Sequence, residues 1–219
     1  MLVLASMVGK LSVVATPIGN LEDITLRALR ILKEADFVAC EDTRNTRKLL
    51  SHFDIHTPVV SDRKTLVLLT QGKHVALVSD AGTPGVSDPG LELVAHAREA
   101  GAKIETIPGP SALAAALAVA GLRVPSFTFY AFLPQKKGRE TLFKEMAKSD
   151  RASVFYESPH RILKALLSLK KVAPGRRVGL YRELTKIYEE AIIGTPHELL
   201  QILEGNPVKQ KGEFVVILE

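Results

Sequence analysis

Cysteine occurs once in the 219 residues, as Cys40. One thiol excludes an intramolecular disulfide framework and a cysteine-clustered zinc site. It also fits a reducing compartment, so a cytoplasmic location is expected. The six histidines are scattered, with no ligand-spaced pair on one helix face, and no metal is expected. Long apolar runs are missing too. Met1–Val8 and Ala112–Ala120 fall well short of the roughly twenty residues that cross a bilayer, and no positive segment precedes the first, so no membrane span or leader is expected. Met7 serves as an alternative start to Met1. Ala15-Thr16-Pro17-Ile18-Gly19-Asn20 lacks the glycine spacing of a dinucleotide fingerprint and the Gly-Lys-Ser/Thr of a P-loop, which argues against dinucleotide binding and ATP hydrolysis. No internal repeat or low-complexity stretch occurs.

What is present is a composition of 46% hydrophobic and 24% charged residues, ordinary for a globular protein. The formal net charge is +5 and the pI about 9.3. That balance favours an acidic partner, nucleic acid ahead of a membrane surface, although charge alone equally fits a protein that is merely basic. The most informative stretch is Val75–Gly90. A short apolar run breaks into a loop rich in glycine, proline and aspartate, and a helical pattern resumes at Leu91. Such a break marks the carboxyl end of a parallel strand, where α/β folds bind ligands.

Strand patterns at Leu11–Ala15, Phe37–Cys40, Val75–Val78 and Lys103–Ile107 alternate with helix patterns at Thr25–Glu34 and Asn45–His52, which predicts a mostly parallel sheet. Ala112–Ala120 reads as a helix buried on all sides, capped by Ser111 and stopped by Gly121. After a break at Gly121–Ser126, strands at Thr128–Phe132, Ala152–Tyr156, Val178–Tyr181, Tyr188–Ile193 and Phe214–Leu218 interleave with helices at Glu140–Ala147, Ile162–Leu169 and Pro196–Leu203. Successive strands near Leu180 and Ile192 have no helix between them, which predicts a mixed sheet. The reading is two α/β domains, 1–124 and 125–219.

Chemistry is expected at the strand ends. Asp80 suits the diol of a ribose, and its small neighbours let an adenosine lie along the main chain; it also suits a turn cap. Pro108-Gly109-Pro110-Ser111-Ala112 offers free N–H groups at Ser111 and Ala112 to a polar ligand edge, or caps a helix. Tyr156-Glu157-Ser158-Pro159-His160-Arg161 and Arg182-Glu183-Leu184-Thr185-Lys186 gather charge, either for a site or as a surface ion-pair network. Basic residues cluster at Arg44/Arg47/Lys48, Lys136-Lys137-Gly138-Arg139, Lys170-Lys171 and Arg176-Arg177. A solvated face explains any one of them, and Pro134–Arg139 is the best RNA candidate.

In combination, Thr16–Thr25, Glu41-Asp42-Thr43-Arg44, Val78–Gly90, Pro108–Ala112, Phe132-Leu133-Pro134, Tyr156–Arg161 and Arg182–Lys186 resemble the ribosomal RNA small-subunit methyltransferase I family. That family is a branch of the tetrapyrrole-methylase superfamily, and the motifs run in its order from Leu11 to Leu218. The resemblance implies the class III methyltransferase fold, with S-adenosylmethionine folded into a cleft between two α/β domains, and a homodimer. It implies methyl transfer to the 2′-hydroxyl of a decoding-centre cytidine in 16S rRNA of the 30S subunit. Cofactor contacts carry over to Pro17, Val78, Ser79, Asp80, Thr83, Ser111, Ala112, Tyr156, Glu157 and Leu184, with Val78 and Ser79 replacing superfamily glycines. The basic clusters supply Arg44, Arg47, Lys136, Lys137 and Arg139 as expected RNA contacts. Two departures imply weaker or altered rRNA binding. Val59–Thr65 is short and lacks a His/Asn/Glu-rich stretch, and the sequence ends at Glu219 without the extension many relatives carry.

A ribose hydroxyl is a poor nucleophile and needs a base, or a charge beside the nascent alkoxide. Lys186 is the expected base, its pKa lowered by partial burial and its amine oriented by Glu183 and Arg161. A plain ion pair is the other role open to it, and Glu41 is the alternative base. Two other functions stay open: methylation of a tetrapyrrole or another small molecule, and a non-catalytic RNA- or nucleotide-binding module.

Overall fold

A computed structural model gives the fold, and it describes residues 8–88, 90–121, 123 and 125–219. The alternative starts Met1 and Met7, Pro89 and the boundary residue Val124 lie outside the described residues. The chain forms two units, one ending at Ser111 and one running from Ala112 to Glu219.

In the first unit, short apolar runs form β1 (Lys10–Val14), β2 (Phe37–Cys40), β3 (Val59–Ser61), β4 (His74–Leu77) and β5 (Lys103–Ile107). They pair in the order β3-β2-β4-β1-β5, parallel throughout. Parallel neighbours need long crossovers, and α1 (Leu26–Glu34), α2 (Thr43–His52), α3 (Thr65–Thr70) and α4 (Gly90–Glu99) provide them. Side chains alternate along each strand, so the sheet builds a core on each face. Val14, Val38, Ala76 and Val78 pack with Ile31 and Leu32 of α1. Leu11, Ala39, Val75 and Leu77 pack with Leu69 of α3 and Ala97 of α4. Thr25 starts α1 by accepting the Ala28 N–H, satisfying one donor the helix leaves open. Because the strands share one direction, the carboxyl ends of β1, β2, β4 and β5 line one edge of the sheet.

The second unit contains α5 (Ala112–Ala120), β6 (Phe127–Phe132), α6 (Arg139–Lys148), β7 (Ala152–Glu157), α7 (Ile162–Val172), β8 (Val178–Arg182), β9 (Glu190–Gly194), α8 (Pro196–Gly205) and β10 (Phe214–Leu218). The sheet order is β6-β7-β10-β8-β9. Only β6 and β7 run parallel; the other pairs are antiparallel. Its core joins Phe143, Met146, Phe155, Leu166, Leu180, Leu199 and Val216. The register sets Glu157, Phe214, Arg182 and Glu190 in one row across β7, β10, β8 and β9. The loops that follow β7 and β8 therefore leave from the same edge.

The architecture is the expected pair of α/β sheets, one parallel and one mixed. Three details correct the sequence reading. The division falls between Ser111 and Ala112 rather than at 124, because α5 packs on β10 and Arg177 Nη2 donates to the Ala120 carbonyl at 3.4 Å. The same one-sided packing leaves α5 partly bare: Ala116 and Ala120 are buried, while Val119 is 57% exposed. An alanine-rich helix is apolar all round whichever face it buries. Finally, Val59–Thr65, to which the sequence pattern assigned no element, contains β3, a 3-10 turn at Asp62–Lys64 and the start of α3. Among the described residues no helix is long and apolar enough to cross a membrane.

Gly9 precedes β1 with its Cα against the Gly72–Lys73 main chain, and an added Cβ would overlap the Lys73 carbonyl oxygen. Backbone yields less readily than a side-chain tip, so Gly9→Ala is expected to destabilise the chain by about 2 kcal/mol. Chemical denaturation reads this as a lower midpoint; an unchanged midpoint would show that the turn shifts freely.

Candidate functional site

At the first sheet's carboxyl edge the loops are stitched to each other. Thr16, just past β1, exchanges backbone hydrogen bonds with Gly82 in the loop after β4, at 2.9 and 3.0 Å. Thr16 Oγ1 also donates to the Ser79 carbonyl at 3.3 Å. Gly82 has φ +83, a conformation glycine reaches without strain. Ser79 Oγ donates to the Ala81 and Gly82 carbonyls, and Thr83 Oγ1 donates to the Pro110 carbonyl in the loop after β5 at 3.1 Å. Asp88 Oδ1 accepts the N–H groups of Gly85 and Gly90 at 2.7 and 2.8 Å, closing the far end of the loop. Val78 buries its side chain in the core, which leaves that side chain unavailable to any ligand.

Asp80 stands exposed on this braced loop, touched at Oδ2 by Asn45 Nδ2 at 3.5 Å. Two polar atoms of the same edge, Asp23 Oδ2 after β1 and Ser87 Oγ after β4, are buried without a hydrogen-bond partner among the described residues. Buried acceptors and donors left open in a native fold mark places for a water or ligand. After β2, Asp42 caps α2 by accepting the Arg44 N–H at 2.8 Å. Hydrogen bonds from the Arg44 side chain and backbone hold its carboxyl at about 2.

The second sheet's edge carries two separate charge clusters. Glu157, at the end of β7, is buried and pairs with Arg139 Nη2 and with Arg161 Nε, the latter at 2.9 Å. Arg139 further donates to the Pro134 carbonyl at 3.2 Å and lies over the Phe143 ring, 5.3 Å from its centroid. Tyr156 packs edge-on against Phe129 and Phe132.

In the loop after β8, Lys186 Nζ donates to Glu183 Oε1 at 3.0 Å and Glu213 Oε2 at 2.9 Å. Glu183 Oε1 also accepts the Glu213 N–H at 3.0 Å. Glu183 and Thr185 hold φ of 50 and 66, on either side of buried Leu184. Gly212 makes room for this loop, since a Cβ there would come within 2.5 Å of Glu183 Cγ.

The Tetrapyrrole (Corrin/Porphyrin) Methylases family profile matches residues 10–200. Ribosomal RNA small subunit methyltransferase I of Thermotoga maritima is 43% identical, over 96% of this chain and 98% of its own length. The protein of that name from Halalkalibacterium halodurans is 46% identical, over 96% of this chain and 76% of its own. The chain belongs to the ribosomal RNA small subunit methyltransferase I family, within the tetrapyrrole methylases. Solved structures share its fold at low identity. The cobalamin biosynthetic cobalt precorrin-4 methyltransferase CbiF aligns with TM-score 0.72 and 19% identity over 99% of this chain and 98% of its own. Diphthine synthase aligns with TM-score 0.74 and 19% identity over 96% and 90%. At such identity these establish the fold alone.

For this methyltransferase-family chain, the structure gathers Pro17, Val78, Ser79, Asp80 and Thr83 on one edge of the first sheet. Ser111 closes that unit and Ala112 opens the next. Tyr156, Glu157, Arg161, Glu183, Leu184 and Lys186 gather on one edge of the second sheet. Arg44, Arg47, Lys136 and Lys137 are exposed; Arg44 is tied to Asp42.

Three expectations are corrected. Arg139 does not belong to an RNA-facing surface, because its guanidinium is buried against Glu157 and Phe143. Arg161 does not orient Lys186, because it bonds Glu157 and Ser158 Oγ. Lys186 is not a base with a lowered pKa. Partial burial does work to lower it, but hydrogen bonds to Glu213 and Glu183, and their charges, outweigh that and raise it above its ordinary value. Sequence reasoning placed Thr16 in a candidate loop without a role and passed over Asn45, Gly212 and Glu213, all of which act by bracing; Gly212 before Glu213 was a visible signal.

Burial pushes Glu183 up, but the Glu213 N–H and Lys186 outweigh it and bring it below its ordinary 4.5. A depressed carboxyl contributes stability above its unfolded pKa and loses it as pH falls through the folded one. A raised ammonium contributes below its ordinary 10.5 and loses it as pH climbs through the folded value. The Glu183–Lys186–Glu213 cluster therefore holds across neutral pH. Nitrogen NMR of Lys186 Nζ is expected to show no titration between about pH 6 and 9; a midpoint inside that window would restore the base.

Proposed function

We propose that this chain transfers a methyl group from S-adenosylmethionine to the ribose 2′-hydroxyl of a cytidine in the decoding centre of 16S rRNA, within the 30S subunit. The observation that carries the reading is the exposed Asp80 on a loop braced from both neighbouring strands. It occurs in a chain 43 to 46% identical to proteins named for methylating small-subunit rRNA.

The residues fit the cofactor. The Asp80 carboxylate suits a ribose diol, Ala81 and Gly82 beside it carry little side chain to obstruct an approach, and Asp23 Oδ2 and Ser87 Oγ remain open to polar partners. When bound, the cofactor supplies a methyl activated on a sulfonium for in-line displacement. The protein's share is placement of the acceptor oxygen and stabilisation of charge. Lys186 keeps its proton and spends two of its three N–H donors on Glu183 and Glu213, so its role is to offer the third to the developing alkoxide. The hydroxyl proton then needs a separate acceptor, and Glu41, exposed at the end of β2, is proposed for it.

Incubation with methyl-labelled S-adenosylmethionine and undermethylated 30S particles is expected to yield one 2′-O-methylcytidine in 16S rRNA. No transfer to RNA would refute the reading. Asp80→Ala is expected to weaken cofactor binding about tenfold or more, the scale of a lost charged hydrogen bond. An unchanged calorimetric affinity removes Asp80 from the site.

Lys186→Ala is expected to abolish methylation while cofactor affinity stays within a few-fold. Lys186→Arg, which keeps a charge but has no accessible neutral form, should retain part of the activity. Complete loss in Lys186→Arg with wild-type substrate affinity would point back to a lysine base.

A further inference from the structure

Among the described residues, Ile187 and Tyr188 are the most exposed large apolar side chains of the second unit, at 95% and 71%. They sit in the loop 183–189 that joins β8 to β9. This loop is firmly held. Lys186 N–H donates to the Glu183 carbonyl at 2.9 Å and Glu189 N–H to the Lys186 carbonyl at 3.0 Å. Thr185 N–H donates to Glu189 Oε2 at 2.5 Å, and Arg182 Nη1 to the Tyr188 carbonyl at 3.3 Å. Two non-glycine residues, Glu183 and Thr185, are kept at positive φ, a strained conformation that persists only where surrounding structure over-determines it. A rigid loop that hands two apolar side chains to solvent is a presented surface.

We propose that Tyr188, with Ile187 beside it, is a stacking platform for an unpaired nucleobase of the RNA substrate; this rests on the RNA reading above. Sequence-specific recognition of RNA targets unpaired nucleotides whose bases are splayed from the stack, and such bases are commonly received on aromatic rings. The surrounding charge permits it. Four carboxylates, Glu183, Glu189, Glu190 and Glu213, stand among three paired cations, Lys186, Arg182 and Lys209. Lys211, whose carbonyl accepts from Arg182 Nε, is exposed beside them and brings the loop's surroundings to neutrality. Two side chains match the face of one base. They fall far short of the roughly 800 Å² per partner that a stable protein interface buries.

The chain has no tryptophan, so Tyr188→Trp introduces a single fluorescent reporter at the platform. Its emission is expected to be quenched by an unpaired RNA oligonucleotide and left unchanged by inorganic polyphosphate at equal charge. In methylation assays, Tyr188→Ala is expected to raise KM for 30S particles about tenfold, with kcat and cofactor affinity unaltered, and Tyr188→Phe to restore the wild-type KM. An unchanged KM in Tyr188→Ala beside an active wild type overturns the platform while the methylation reading stands. Equal quenching by polyphosphate overturns it as well, as does an emission shift with protein concentration alone, which would mark contact with a second copy. If the wild type methylates no RNA, the function proposed above fails, and absence of oligonucleotide quenching independently removes the platform.

Discussion

The paired backbone hydrogen bonds between Thr16 and Gly82 are the constraint on which the first unit's site depends. Parallel strands cannot be closed by tight turns, so each leaves its sheet into a loop with unsatisfied backbone groups. Here one loop answers another. Thr16 spends its N–H, carbonyl and hydroxyl on the loop after β4, and Thr83 extends the link to the loop after β5. Asp80 inherits its position from these bonds without making them. That separation leaves its carboxylate available to a ligand.

The second unit uses charge rather than backbone to the same end, in two opposite ratios. Glu157 meets two guanidiniums, whereas Lys186 meets two carboxylates. The first arrangement locks the loop after β7 to the start of α6, burying Arg139. The second locks the loop after β8 to the segment before β10 and keeps the ammonium charged. A lysine between two carboxylates is a poor base, because releasing its proton leaves two negative charges uncompensated. Burial alone suggested the reverse, and only the count of partners decides the sign.

The fold was largely legible because it depends on apolar periodicity. β2, β5 and β10 lie where the pattern placed them, and both sheet types followed from helix spacing. β3 was not legible, since three residues carry no period and its neighbour β2 supplies the order. The strand-end placement of Asp80, Glu183 and Lys186 was legible, because the apolar runs before them end in loops. The candidate site was opaque where a residue acts by touching a distant one. Arg139 is written beside two lysines, yet its partner Glu157 is reached only when α6 folds back on β7. Glu213 lies far along the chain from Lys186, and the glycine before it is the one sign in the sequence of a close approach there.

The same distinction revises what the basic composition means. Arg176 Nη1 ties down the Met146 and Ser149 carbonyls at the end of α6, both at 3.0 Å, and Arg177 pairs with Glu219. Arg182 is buried beside Glu190, and Arg139 is buried beside Glu157. These arginines hold the second unit together, and the carboxylates paired with Arg177, Arg182 and Arg139 cancel their charge locally. The net charge of +5 already subtracts those carboxylates, so the excess lies with other groups, exposed Arg47, Lys136 and Lys137 among them. Salt-dependent attraction to RNA depends on charges free to displace counterions. In the function proposed above, attraction to RNA therefore rests on the exposed lysine-rich loop before α6 and the first turns of α2.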